Sequence, residues 1–254
     1  MILNDKNIFK RKLEVETFEC DMMGRMKLSA VLRQMQEIGN LHLEEVGYSY
    51  EKLRELGMAF LASKIYIKVN RMPNEREQII QVTAPKKTKG IYFFRDIDFY
   101  DTEGNLLIET HAALILVSAA GDKHTVLRPK EFDFPFECDD NTDYSISSWK
   151  ANIPNENITE DYRKIRYSDI DCNRHMNNAV YADIVYDFMP IEAAKNKEID
   201  EFRIFFKNEA FLGETIKIES CMYDDQKTFG IKGLRDNDED KRKNLCFEAT
   251  VHYK

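Results

Sequence analysis

The chain has no run of about 18 consecutive apolar residues that would span a membrane. Its first seven residues, Met-Ile-Leu-Asn-Asp-Lys-Asn, do not lead a basic stretch into an apolar one. These two absences predict a soluble, non-exported protein with a cytoplasmic location. Cys20, Cys138, Cys172, Cys221 and Cys246 are odd in number, far apart and contain no C-x-x-C pair. That spacing argues against a disulfide framework and a structural zinc site, and it fits a reducing compartment. A phosphate-cradling G-x-x-x-x-G-K loop is missing. His42, His111, His124 and His252 are scattered without metal-ligand spacing, so neither a metal nor a cofactor is expected. Nor is there the surplus of positive charge that nucleic-acid binding needs, since the formal net charge is -8.

What is present is ordinary globular material: 43% hydrophobic and 32% charged residues over 254 positions, a length that suits two modest domains. Shifting the chain against itself by 150 residues brings Asp21-Met-Met-Gly-Arg-Met26 over Asp171-Cys-Asn-Arg-His-Met176. The identities are few, but each copy runs from a short strand through a turn and a helical stretch into alternating strands. Leu28, Val31, Leu32, Met35 and Ile38 recur at helical spacing in the first copy, with strands following near 65–69, 77–84, 91–100 and 106–117. Val180, Ile184, Val185 and Phe188 do the same in the second, where Pro190 is expected to bend or end the helix. Leu245, Phe247, Ala249, Val251 and Tyr253 share one face of a last strand. A helix cradled by an antiparallel sheet, twice, buries these faces. Between the copies the chain is polar and irregular, with Gly121, Pro129, Pro135, Pro154 and the acidic pair Asp139-Asp140. We therefore expect an N-terminal domain at 1–130, a linker at 131–158 that packs against the domains in places, and a C-terminal domain at 159–254.

Chemistry concentrates in Tyr167-Ser-Asp-Ile-Asp171-Cys-Asn173-Arg-His175-Met-Asn177-Asn178-Ala-Val-Tyr181. Asp171, Asn173 and His175 alternate, so an extended backbone sends all three to one side. Asn177 or Asn178 serves as a helix N-cap, leaving free N–H groups beside His175 that suit a developing oxyanion. Capping alone explains one asparagine, not the alternating Asp, Asn and His. Cys172 falls between Asp171 and Asn173 and is expected to point away.

The run D-x-N-x-H-x-N-N-x-x-Y resembles the signature of hotdog-fold thioesterases, and in a two-copy chain of this size it is similar to the acyl-acyl carrier protein (acyl-ACP) thioesterases. The resemblance implies an α+β fold of two tandem hotdog domains, each a long helix wrapped by an antiparallel sheet. It also implies an acidic residue thirty-four positions after the histidine, which lands on Glu209. The catalytic set it implies is Asp171, Asn173, His175 and Glu209. Many plant members carry a cysteine directly after that glutamate, where this chain has Ala210, so an activated water is expected in place of a thiolate.

The implied reaction is hydrolysis of a fatty acyl-ACP thioester in fatty acid biosynthesis. The partner is an acyl carrier protein bearing a phosphopantetheine-linked chain. Asn177 and Asn178 are expected at the oxyanion, and Arg163, Lys164 and Arg174 at the acidic carrier. The first copy has Met23 and Arg25 where the second has Asn173 and His175, so it is expected to be catalytically silent and to build the acyl-chain pocket, with the assembly a monomer or homodimer. An acyl-CoA thioesterase would use the same residues; a non-catalytic acyl-thioester-binding module would not need an intact polar set.

Overall fold

A computed structural model describes residues 7–118, 125–132, 134–136, 138, 142–154, 156–235 and 244–254; Gly121, His124, Asp139 and Asp140 lie outside the described residues. The chain divides into two units, Met1–Trp149 and Lys150–Lys254.

In the first unit, strand β1 (Phe9–Glu14) leads through a 3-10 turn at Thr17–Glu19 into helix α1 (Leu28–Glu45). The helix buries Leu28, Val31, Leu32, Met35 and Ile38, the residues whose spacing predicts it. A short helix, α2 (Tyr50–Glu55), starts where Ser49 accepts a hydrogen bond from the Lys52 N–H. Strands β2 (Met58–Val69), β3 (Gln78–Lys89), β4 (Tyr92–Asp101), β5 (Leu106–Ser118) and β6 (Thr125–Leu127) follow. They pair antiparallel with β1 in the order β1-β3-β4-β5-β2, and β6 lies against β5.

The described part of the expected linker largely belongs to this unit, because its apolar residues are needed there. Phe132 and Phe134 pack on the cluster of Leu53, Met58 and Leu116. Ile146 is buried against Phe94 and Ala113, and Lys64 Nζ donates to the carbonyls of Ser147 (2.7 Å) and Trp149 (2.9 Å).

In the second unit β7 (Thr159–Lys164) leads into α3 (Asn178–Phe188) and α4 (Ile191–Asn196). Pro190 occupies the boundary between the two helices, where its missing N–H costs least. Strands β8 (Ile199–Phe206), β9 (Thr215–Met222), β10 (Thr228–Arg235) and β11 (Leu245–Tyr253) complete an antiparallel sheet ordered β7-β9-β10-β11-β8, strand for strand the order of the first unit. Phe247, Ala249, Val251 and Tyr253 are fully buried along β11. Tyr181 of α3 sets its ring edge-on to Phe206 and Phe247, at 5.4 and 5.0 Å between centroids. Gly233 of β10 has no room for a side chain, since a Cβ there would lie 2.4 Å from the Phe247 ring.

The repeat is physical as well as textual. β1 and β7 begin 150 residues apart, and so do the 3-10 turns at Thr17–Glu19 and Tyr167–Asp169 and the starts of α1 and α3. The antiparallel bridges Cys20–Met26 and Ile170–Met176 keep the same offset.

Candidate active site

The segment Asp171–His175 is not extended. Ile170 and Met176 pair across it, the Asp171 N–H donates to the His175 carbonyl (3.1 Å), and the Arg174 N–H donates back to the Asp171 carbonyl (3.0 Å). Arg174 sits at φ 69, in the left-handed region, and turns the chain. The two-residue alternation therefore does not place Asp171, Asn173 and His175 in a row.

Within this turn the Asp171 carboxylate is occupied. Oδ1 accepts from the Asn173 N–H (2.8 Å), and Oδ2 accepts from Asn177 Nδ2 (3.3 Å) and, at the limit of contact, Asn173 Nδ2 (3.5 Å). This is an Asp turning its own backbone while bracing the helix cap. Asn173 is exposed on the turn, and so is Cys172.

His175 turns inward, its side chain 14% exposed, and meets Glu209: Nε2 and Oε1 are 3.6 Å apart. Glu209 lies in the loop between β8 and β9. The Lys207 and Asn208 N–H groups both donate to the Cys246 carbonyl there, and the Met176 N–H donates to the Ala210 carbonyl (2.8 Å), which fastens the loop to the histidine's own turn. Ala210 is fully buried. Burial pushes the nearby Cys246 thiol up to about 11, so it is no thiolate at neutral pH.

Asn177 is the N-cap of α3, its Oδ1 accepting from the Ala179 N–H (2.9 Å). Its own N–H is spent on the Asp169 carbonyl (2.9 Å), which removes it as an oxyanion donor. Among the described residues no backbone carbonyl accepts the Asn178 N–H, so this is the amide left open at the helix's positive end. Lys164 and Arg174 are exposed, whereas Arg163 pairs with the buried Asp169 (Nη2–Oδ1 2.9 Å) and acts as a strut within the turn. Arg235, at the end of β10, also reaches this region; it donates to the Glu209 carbonyl from twenty-six residues along the chain, and nothing in the local sequence signals that contact.

The same turn in the first unit has closed on itself. Gly24 takes the left-handed place (φ 75), and Arg25, where the second unit has His175, donates from Nε and Nη2 to Asp21 Oδ2 at 3.1 and 3.0 Å. The Met26 N–H donates to Pro73 as Met176 does to Ala210, which puts Met72 in the place of Glu209. Met22 and Met23 are 74% and 54% exposed, while Met26 and Met35 are core. Behind α1 the interior is partly polar. Arg95, which burial brings down to about 10, donates to Thr83 Oγ1 and bonds His42 Nδ1, each at 3.0 Å.

No helix among the described residues is long and apolar enough to cross a membrane. The family descriptions matching the chain are the acyl-ACP thioesterase N-terminal domain, over residues 6–129, and the acyl-ACP thioesterase C-terminal domain, over 153–248. Among curated relatives, an oleoyl-acyl carrier protein thioesterase 2 of Arabidopsis thaliana is 21% identical over 230 residues, covering 82% of this chain and 61% of its own length. An oleoyl-acyl carrier protein thioesterase of Coriandrum sativum is 19% identical over 227 residues, 79% of this chain and 59% of its own. The chain thus spans about three fifths of the relatives it matches. Among solved structures, an acyl-ACP thioesterase from Bacteroides thetaiotaomicron has a TM-score of 0.83 at 17% identity, covering 97% of this chain and 98% of its own. The 12:0-ACP thioesterase from Umbellularia californica has a TM-score of 0.75 at 14% identity, covering 100% and 99%. Both likenesses bear on the fold, the tandem hotdog.

Proposed function

The chain belongs to the acyl-ACP thioesterase family, and from that membership together with the His175–Glu209 pair we infer that it hydrolyses the thioester of a fatty acyl-acyl carrier protein, releasing free fatty acid, with water as the attacking group. The observation that carries this reading is the pairing of His175 with Glu209 three residues ahead of the open Asn178 N–H. Glu209 takes the proton of a water held at His175, and the water oxygen bonds to the thioester carbon. The Asn178 N–H and the start of α3 stabilise the oxyanion. Its collapse breaks the carbon–sulfur bond, and the proton returns from the Glu209–His175 pair to the leaving thiolate of the carrier's pantetheine arm.

In this scheme Asp171 positions rather than attacks, because its oxygens already hold the turn and the Asn177 cap. Asn173, exposed on the turn, is assigned the orienting of water or the thioester. Lys164 and Arg174 receive the acidic carrier. The first unit, lacking both a histidine and a glutamate in the matching places, is assigned the acyl chain. A reducing cytoplasm, and a monomer or homodimer, complete the proposal. A hydrolysis panel of acyl-carrier and acyl-CoA thioesters of graded length tests it: turnover favouring the carrier supports this reading, turnover favouring CoA replaces the carrier in it, and binding without turnover refutes it.

A further inference from the structure

Glu209 belongs to no helix or strand, so its position depends on what fastens the loop from Lys207 to Glu214. One end is held by the sheet: the Lys207 and Asn208 N–H groups donate to the Cys246 carbonyl (2.8 and 3.2 Å), and Asn208 Nδ2 to the Leu245 carbonyl (2.7 Å). The other end is held by the turn segment, where the Gly213 N–H donates to the Ile165 carbonyl (3.0 Å) and the Ile165 N–H to the Glu214 carbonyl (2.8 Å). Arg235 links the two. Its Nη2 donates to the Glu209 carbonyl, its Nε stands 3.6 Å from Glu214 Oε2, and its guanidinium lies 5.7 Å from the centre of the Phe211 ring. One side chain therefore touches the loop at its first, middle and last thirds.

The first unit supplies an internal control. Its β2–β3 loop repeats these bonds at an offset of 137 residues: Arg76 N–H to Val15 and Val15 N–H to Glu77 answer the Gly213, Ile165 and Glu214 bonds, and Asn74 N–H to Glu77 Oε2 answers Phe211 N–H to Glu214 Oε2. There too an arginine bridges the carbonyl in Glu209's place, that of Met72 (3.3 Å), and the closing glutamate, Glu77 (2.8 and 2.6 Å). That arginine is Arg71, a member of the loop itself, so in the first unit this bridge is made from within the loop. In the second unit Asn208 stands where Arg71 does, and the arginine comes from β10. Both loops are bonded to their own sheet, through Leu106 and Leu107 in the first unit and Leu245 and Cys246 in the second; the loop that carries Glu209 has a further tie, to the end of β10.

We propose that Arg235 is the positioning residue for Glu209: by holding the Glu209 carbonyl to the end of β10 it fixes the carboxylate against His175. This rests on the reading of His175 and Glu209 above. Arg235 reaches no substrate atom in that scheme and acts through Glu209 alone, so its loss should lower kcat and leave KM nearly unchanged.

The test compares Arg235→Ala, Arg235→Lys, Glu209→Gln and the double variant Arg235→Ala/Glu209→Gln on an acyl-carrier thioester. Expected are a ten- to hundredfold fall in kcat for Arg235→Ala with KM within threefold, an intermediate kcat for Arg235→Lys, which keeps the charge but loses the planar fork, and less than threefold further loss when Arg235→Ala is added to Glu209→Gln. Unchanged kcat in Arg235→Ala, or losses that multiply in the double variant, would overturn the proposal. A second readout does not depend on turnover. The His175 ring signal, identified by NMR as the one of five histidines lost in His175→Gln, should move in Arg235→Ala toward its position in Glu209→Gln. A signal that moves in Glu209→Gln and stays put in Arg235→Ala sinks the positioning role, even where Arg235→Ala is too unstable to assay. Should Glu209→Gln and His175→Ala hydrolyse normally, the catalytic reading fails, and the ring signal alone decides whether Arg235 sets the His175–Glu209 contact.

Discussion

Oε1 of Glu209 stands 3.6 Å from Nε2 of His175, although α3, α4 and β8 separate the two residues along the chain. The distance is that of an ion pair and too long for a hydrogen bond. Asp171, the other carboxylate near the histidine, is bonded to Asn173 and Asn177 instead.

Glu209→Gln and Asp171→Asn should therefore fail differently. Removing the base should cost about 10²–10⁴ in kcat with little effect on KM. Asp171→Asn keeps an acceptor for the Asn173 N–H and loosens the Asn177 brace, so a smaller kcat loss and a lower melting midpoint are expected. Steady-state kinetics and thermal melts of both variants decide it; equal kcat losses without a change in melting would put Asp171 in the chemistry.

The turn geometry can be checked without substrate. Arg174 occupies φ 69 where Gly24 has φ 75, and Gly24 has no neighbour within 4 Å of a would-be Cβ. Arg174→Gly should stabilise the fold by about 1 kcal/mol and Gly24→Ala destabilise it by a similar amount, both through backbone conformation alone. Opposite shifts in denaturant midpoint are expected; shifts of the same sign would contradict the matched turns.

How much of this is legible in the sequence depends on whether the determinant is local. The 150-residue repeat is readable because each copy needs an Asp to start its turn and apolar residues at helical spacing after it. The spacing of Asp171, Asn173 and His175 is also readable, but as an extended segment, because a left-handed arginine carries no composition signal. Glu209 is reached by family resemblance and not by any local pattern. Arg235 and the closing of Arg25 on Asp21 are decided by packing. The first comes from a distant strand, and the second turns on which side chain faces the acid.

Arg25→His should not create a second site. Met72 stands in the place of Glu209, so a histidine there lacks the carboxylate that His175 meets across the β8–β9 loop, and losing the Arg25–Asp21 pair costs at most about 1 kcal/mol. In a His175→Ala background, Arg25→His should show no recovered hydrolysis; measurable turnover would mean that the histidine works without the glutamate.

A pH-sensitive cluster lies on the first unit's sheet. Burial raises Asp98 to about 6, and the hydrogen bond from His111 to Asp96 (2.7 Å) raises the histidine. Both folded-state values exceed the unfolded ones, so both contributions to stability are full at low pH and are lost as pH rises. Asp98 loses its share between about pH 4 and 6, and His111 loses its own above about 6.5. Asp98→Asn can still accept from the Thr110 N–H. It should match the wild type near pH 4 and out-melt it near pH 7, by roughly 2–4 °C for each kcal/mol recovered. A constant difference across that range would show that Asp98 does not titrate there.

The most direct test of the thioesterase assignment is the rate of free fatty acid release from acyl-carrier thioesters by the wild type, Glu209→Gln and His175→Ala. The account predicts multiple turnovers for the wild type and a loss of at least about a hundredfold in each variant, as expected for removal of a general base or its partner. Near-wild-type release by either variant would contradict it.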